Sequence, residues 1–428
     1  MKKNKAQLWD MVQFIFRNYY DRMIHAILWF DGLVDQDAVR ASVRHIVDKA
    51  EVLRSTFRAG FFRPKWVVND LDDTGQLVQV INADDVEKAS FECISQSFSY
   101  KEKLQIRVFI VQDGTKSAIA FLVNHMCFDG GDFGYFLKKF VECYNSVLRT
   151  GSCEGVEIKT GSRDADQLYQ GMSPERAKEA KGLYKNVSRT GVKHKFAFSD
   201  DKHDLATRFT VKRLTEEQLT AIKTKAKSVG ASLNDVLLAG YLRAIANQLA
   251  LGSDEIVNVT SMVDLRRHLP DRQTQGMTNM TGFMPCKIAG VGDDFATTLS
   301  RVTEQTKKAK ADPDLGLYGL PLLKLAFTIF PYAIAEAAIR IGYVNPLIGM
   351  SNIGTVDPQK FKLDGVNMTD AFMTGATKYK PYVQVTFNGF AGEGRMCIAQ
   401  KCSEKDQKII SDFLDDMVAQ MVEFAQKP

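Results

Sequence analysis

The run Ala118-Ile119-Ala120-Phe121-Leu122-Val123 offers no polar face, and it stops abruptly at Asn124-His125-Met126-Cys127-Phe128-Asp129-Gly130-Gly131. A short apolar run without alternation reads as a strand buried on both faces, which requires a covering layer on each side. The stretch before it, 104–112, alternates apolar and polar residues (Leu104, Ile106, Val108, Ile110), and Asp113-Gly114 turns it into the run. That pattern predicts a half-buried strand paired with a buried one. Beyond the glycine pair, Phe136, Leu137, Phe140 and Tyr144 fall on one stripe of a helix over 133–147. Strand, sharp turn, helix: the local grammar is that of an α/β protein.

The same alternation occurs elsewhere in the chain. A β-rich stretch at 23–30 ends at Asp31-Gly32, and Asp35 then precedes a helical pattern of Ala38, Val39, Val43, Ile46 and Val47. In the second half, Thr215 and Gln218 form a capping box for a helix that Gly230 closes. Ser232 caps a longer helix through Leu249, with Val236, Leu237, Tyr241, Leu242 and Ile245 on its buried side. Strands are predicted at 256–262 and 282–288, then a helix through Lys310, a strand pair at 382–387 and 395–400, and a terminal helix over 405–424.

Between the halves periodicity fades. An acidic stretch, 154–166, is followed by Arg176, Lys178, Lys181, Lys185, Arg189, Lys193 and Lys195. This divides the chain into an N-terminal unit (1–165), a crossover linker (166–200) and a C-terminal unit (201–428). The linker charges either keep a connector solvated or present a surface to a phosphate-bearing donor or carrier.

Composition narrows the function classes. With 45% hydrophobic and 25% charged residues the chain is neither disordered nor low-complexity. A net charge of +5 over 428 residues is too slight for a nucleic-acid binder, which concentrates basic charge. The basic start is interrupted by Asp10, Gln13 and Arg17 before an apolar region develops, so no secretory signal is expected. The uncharged stretch 341–356 contains Asn345, Pro346, Ser351 and Asn352, which argues against a membrane span. Seven cysteines without a C-x-x-C pair predict reduced thiols in a cytoplasm.

The segment 124–131 is the densest concentration of chemistry. A histidine at a strand end can serve as a general base near neutral pH. The residues alone leave three readings open. His125 is a structural histidine satisfied by backbone; or His125, Cys127 and Asp129 share one face of an extended chain as metal ligands; or Cys127 is a nucleophile beside an imidazole. No further imidazole or thiolate lies nearby at ligand spacing, and no phosphate-cradling glycine motif occurs. Histidines 25, 45, 194, 203 and 268 lack comparable surroundings and are read as surface or packing residues.

His125-x-x-x-Asp129-Gly130 after a hydrophobic strand resembles the H-x-x-x-D-G signature of the chloramphenicol-acetyltransferase-like superfamily. That group includes carnitine acyltransferases, plant BAHD acyltransferases, nonribosomal-peptide condensation domains and wax-ester-synthase-like enzymes. The likeness extends along most of the chain. Val52-Leu53-Arg54-Ser55-Thr56-Phe57 is similar to a block of condensation domains, and Ala231 to Ala239 resembles the helix opening the second half. Val263-Asp264-Leu265-Arg266-Arg267 and Gly349-Met350-Ser351-Asn352-Ile353-Gly354 resemble the family's "D-L-R" and "N-x-G" segments.

The resemblance implies an α/β fold of two acetyltransferase-like subdomains, mixed sheets covered by helices, set in a V around a central tunnel. It implies His125 as general base at the meeting point of donor and acceptor, and Gly130 permitting a close turn. Asp129 would be held by an arginine, Arg54 first and Arg266 second. Ser351 and Asn352 are the candidates for an oxyanion donor, or else only shape a strand crossover. Asn124 stands where the fuller pattern has another histidine.

The implied donor is a thioester of coenzyme A or of the phosphopantetheine on an acyl carrier protein, a substrate rather than a bound cofactor, with no metal. The acceptor would be a small-molecule alcohol or amine, and a monomer is expected. Two further readings are a stand-alone condensation enzyme joining carrier-bound substrates and a binding scaffold without catalysis. The apolar stretch 315–341, broken by Pro321 and Pro331, is read as a core or tunnel-wall helix. Its functional alternatives are a lining for an acyl chain or a peripheral membrane contact.

Overall fold

The computed structural model describes residues 2–71, 76–183, 194–342 and 347–427; linker residues Lys185, Arg189 and Lys193, and Asn345 and Pro346, lie outside them. The apolar run becomes the strand Ser117–Asn124, buried at every position. It is the middle strand of a five-stranded sheet ordered Met368–Thr374, Met23–Phe30, Ser117–Asn124, Ile106–Gln112, Val78–Asn82. Its alternate side chains enter different cores. Ile119, Phe121 and Val123 join the core under helices Gln36–Lys49 and Gly130–Thr150, while Ala118, Ala120 and Leu122 pack toward helix Val86–Ile94. Burial on both faces is what removed polar residues from the run.

A seven-stranded mixed sheet forms the second unit. Strands Thr281–Ala289, Ile256–Asp264, Ile348–Val356, Val383–Phe390 and Glu393–Cys402 lie side by side, with Ala206–Leu214 and Lys378–Tyr379 also paired to Glu393–Cys402. Helices Glu216–Ser228, Leu233–Gln248, Phe295–Ala311 and Glu404–Gln426 cover it around a separate core. Both expected caps form. Thr215 with Gln218, and Ser232 with Asp235, make reciprocal capping boxes, and Gly230 takes the left-handed conformation (φ 71°) that ends the first helix.

One strand crosses the expected division at 166–200. Met368–Thr374 follows the second unit in sequence but pairs antiparallel with Met23–Phe30, Phe372 opposite Ile27 and Ala371 opposite Leu28. Phe372 is 1% exposed and meets the rings of Phe91 (5.1 Å) and Phe209 (5.9 Å), which come from opposite halves. The two units are therefore interlocked through a shared aromatic cluster.

Two features have no counterpart in the sequence reading. Helix Leu8–Ile15 is buried on all sides, and even its two polar residues, Asp10 and Gln13, lie inside. A separate three-stranded sheet joins Lys3–Lys5, Lys65–Val68 and Ser55–Arg58. The apolar stretch 315–341 is not one helix but two, Leu320–Ile329 and Tyr332–Gly342, divided at Pro331, which cannot continue the ladder of backbone hydrogen bonds. No helix among the described residues is long and apolar enough to cross a membrane.

Phe372→Ala is expected to lower stability by about 3–5 kcal/mol, because the cavity opens between elements that cannot collapse independently. Urea unfolding of the full chain measures it, and a cost near that of a surface substitution would show that the crossing strand is not part of the common core.

Candidate active site

The buried strand ends in a turn made by Asn124 rather than by a second histidine. Its amide donates to Gln105 Oε1 (2.7 Å), and its Oδ1 accepts the Met126 N–H (3.0 Å). A short polar side chain closing onto the backbone two residues on makes a local turn. The chain then reverses, and the His125 N–H donates to Arg22 O (2.7 Å). Arg22 holds a left-handed backbone (φ 64°), an unfavourable conformation for a long side chain, directly against the motif.

Three clamps fix the segment. Arg163 forks onto Asp10 (2.7 and 3.1 Å) and also donates to Cys127 O (2.9 Å) and Met126 O (3.3 Å), holding the carbonyls of the loop. Asp129 caps helix Gly130–Thr150, accepting from Asp132 N (3.1 Å), and receives Arg266 through two parallel bonds (2.8 and 3.0 Å). The third clamp is the backbone at 278–280. Thr278 N donates to Asp132 Oδ2 (2.7 Å) and Met280 N to Asp129 Oδ2 (2.6 Å). Between them the Asn279 amide lies 3.1 Å from His125 Nδ1 and donates to His125 O (3.0 Å). Lys159 completes the charge balance on Asp132 (2.5 Å).

His125 thus has Nδ1 enclosed by Asn279 and by its own carbonyl, while Nε2 has no hydrogen-bond partner among the described residues. His125 is surrounded by protein on most sides and is half-buried rather than fully buried. Burial lowers its pKa; Asp129 and its own carbonyl push the other way, and the Lys378 cation lowers it further. Lys378 stands with its ammonium 3.9 Å from the Tyr20 ring centre, and burial brings its pKa down to about 8 against the opposing pull of Asp21. Burial also pushes the Asp129 carboxyl up, but Arg266 and the backbone N–H donors together outweigh it and hold it below the ordinary carboxylate range.

The expected residues fall into place unevenly. His125, Asp129 and Arg266 come together. Arg54, the first expectation for the partner of Asp129, does not take part: it donates to Asn69 O (2.6 Å) and faces Asp48 (3.5 Å), tying its own hairpin together. Gly130, expected to permit a close turn, is the first residue of helix Gly130–Thr150. A Cβ on Gly130 would meet nothing within 4 Å, whereas one on Gly131 would sit 2.7 Å from Arg266 Nη1. Cys127 turns its buried thiol to Val52 O (3.7 Å), and burial raises its pKa, so it is not an activated nucleophile. Because the chain turns at Asn124, His125, Cys127 and Asp129 do not share a face.

Ser351 and Asn352 lie on strand Ile348–Val356, and among the described residues neither is hydrogen-bonded to His125. Asn352 spends its amide on Asn234 Oδ1 (2.6 Å), while the half-buried Ser351 hydroxyl has no partner there. Of the other histidines, His25, His45 and His268 bond backbone carbonyls and His194 bonds Glu255; His203 is exposed. Sequence reasoning missed Asn279, Arg163, Asp132, Lys159 and Lys378. Only Asp132 had a local signal, three residues after the helix-capping Asp129.

Gly131→Ala is expected to displace Arg266 and cost about 1–3 kcal/mol of stability. Gly130→Ala should be neutral or stabilising by up to about 1 kcal/mol, since alanine favours the helix it opens. Urea unfolding of both variants tests this; equal effects would mean that the guanidinium is not packed against Gly131.

No protein-family model and no curated protein sequence matches the chain. Solved structures match it over its whole length. Polyketide synthase associated protein 5 from Mycobacterium tuberculosis aligns at 15% identity, covering 99% of both chains with a TM-score of 0.71. The trichothecene 15-O-acetyltransferase from Fusarium sporotrichioides aligns at 12% identity over 99% of this chain and 95% of its own, TM-score 0.71. The first condensation domain of the CDA synthetase aligns at 18% identity over 99% and 96%, TM-score 0.67. At such identities the likeness is one of architecture: the chain shares its fold, over its full length, with a condensation domain and an O-acetyltransferase.

Proposed function

We propose that the protein is an acyltransferase that moves an acyl group from a thioester, of coenzyme A or of a carrier-borne phosphopantetheine, to a hydroxyl or amine. The observation that carries this reading is the state of His125: half-buried, with its pKa lowered by burial, its Nδ1–H directed at its own backbone carbonyl, and Nε2 left as the acceptor nitrogen without a partner among the described residues. The shared fold with an O-acetyltransferase and a condensation domain supports the same reaction class.

The chemistry then follows from the residues present. Nε2 takes the proton of the acceptor as its oxygen or nitrogen attacks the thioester carbonyl, an assistance typically worth about 10²–10⁴-fold. The tetrahedral intermediate collapses, the carbon–sulfur bond breaks, and the imidazolium returns the proton to the departing thiolate. No covalent enzyme intermediate is needed. Asp129 is not the base, because both its oxygens are occupied by Arg266 and by backbone N–H groups. It positions the loop. The Ser351 hydroxyl is free to serve as a donor to the developing oxyanion, and Asn352 serves to orient its strand.

A condensation enzyme acting on two carrier-bound substrates is the second reading, favoured by the condensation-domain likeness. Turnover with acyl-CoA and small acceptors supports the first; a strict demand for a phosphopantetheinylated carrier supports the second. In either assay His125→Ala is expected to lower kcat by about 10²–10⁴-fold, and unchanged turnover would exclude the general-base role.

The pH profile gives a separate check. A base must be neutral to act, and the His125 pKa is below its ordinary 6.5, so activity persists at pH 6.5 and falls only as pH drops through the lowered value. Lys378→Met removes a cation that disfavours the imidazolium, so the acid limb of kcat/KM should move to higher pH. A limb that stays in place would mean that Lys378 does not act on His125.

A further inference from the structure

The hairpin formed by Ser55–Arg58 and Lys65–Val68 ends in a loop at 59–64 that carries Phe61 and Phe62, 55% and 68% exposed. Large aromatic rings at a hairpin tip are seldom left in water without a reason. The tip does not stand alone. Tyr332 N donates to Phe62 O (3.1 Å), Ala333 N to Phe61 O (3.0 Å), and Arg63 donates to Thr328 O (2.9 Å), fastening it to the junction between helices Leu320–Ile329 and Tyr332–Gly342. That junction presents Ile329, Phe330 and Ile334, each about half exposed or more. Leu322, Leu325 and Ile329, spaced three and four apart, continue the apolar surface along one face of the first helix.

A second observation concerns charge. In the small sheet behind the tip, Lys5 stands opposite Lys65, and Arg58 stands opposite Lys65, so three cations form one rank on one face. Lys3, two residues before Lys5, shares that face. All four are exposed, and among the described residues none of the four has an anionic partner, although Lys2 close by is paired with Glu51. Like charges directly opposite each other destabilise a sheet. The opposite face of the same strands carries the buried Trp66 and Phe57, so the register cannot shift to relieve the repulsion without exposing them.

We propose that the hairpin tip and the helix junction it is fastened to dock tip-first on a lipid bilayer bearing anionic headgroups, with Phe61, Phe62, Ile329 and Phe330 inserted at the acyl boundary and Lys3, Lys5, Arg58 and Lys65, on the strands behind the tip, against the headgroup phosphates. Protruding apolar tips backed by an unpaired cationic rank are the two signals that peripheral membrane binding combines, each weak alone. An acidic protein partner would satisfy the cations but would leave the aromatic tip and the two-helix junction uncovered. The proposal does not depend on the acyl-transfer reading.

Flotation of the full chain with phosphatidylcholine vesicles containing roughly one-third phosphatidylglycerol tests it. The protein should float with these vesicles, less with pure phosphatidylcholine, and less again at about 0.5 M salt. The double variant Phe61→Ser, Phe62→Ser and the double variant Lys5→Glu, Lys65→Glu should each lose about tenfold in partitioning. Both alter exposed positions, and an unchanged melting temperature confirms that they fold. Absence of flotation, or flotation of either variant equal to that of the unaltered protein, overturns the proposal. So does a dimer in light scattering that the phenylalanine variant dissolves without any change in vesicle binding.

Discussion

The fork between Arg266 and Asp129 is the contact on which the geometry around His125 depends. It joins residues 137 apart in sequence and lies buried where the two units meet. Asp132 and Lys159 stand in the same cluster, so two buried carboxylates face two cations, and the more exposed Asp264 also bonds Arg266 (3.0 Å). Taking ions out of water costs several kcal/mol each unless every partner is present. The cluster is therefore complete or it is costly, and that makes it a specific latch between halves. The carboxylates also stand at the N-terminus of helix Gly130–Thr150, where the helix dipole favours negative charge.

His125 is consequently enclosed by groups from distant parts of the chain. Arg22 accepts its N–H from the turn that precedes strand Met23–Phe30, Asn279 holds its ring from the second unit, and Lys378 adds positive charge from the segment that crosses back. The isolated bridge between Tyr20 and Lys378 ties the first and the last of these regions together beside Asp21, whose Oδ1 accepts both Met23 N and Thr377 N. The strained backbone of Arg22 is held by neighbours on both sides, which is how such a conformation persists.

What the sequence revealed, and what it did not, follows the range of the physics involved. Burial on two faces writes itself into consecutive residues, so Ser117–Asn124 was legible, as were the capping boxes at Thr215 and Ser232, whose donors and acceptors lie three residues apart. The motif located His125 and Asp129. The partner of Asp129 was ambiguous because nothing local distinguishes Arg54 from Arg266; only the fold decides which arrives. The same holds for Gly130 and Gly131, since the steric demand is made by Arg266. Asn279 has no local signature, and Met368–Thr374, with a polar pair near its start, shows its role as a strand only once Met23–Phe30 is beside it.

That crossing strand has a consequence for modularity. Without it, Met23–Phe30 becomes the rim of the first sheet: eight residues, mostly buried and apolar, with a full row of unsatisfied backbone donors and acceptors. Such a rim invites pairing with another chain. An N-terminal piece cut at the linker would therefore not be a self-sufficient half but an aggregation-prone template. Exchange of halves between relatives, in evolution or by design, has to carry Met368–Thr374 along with the sheet it completes rather than with the unit that follows the linker.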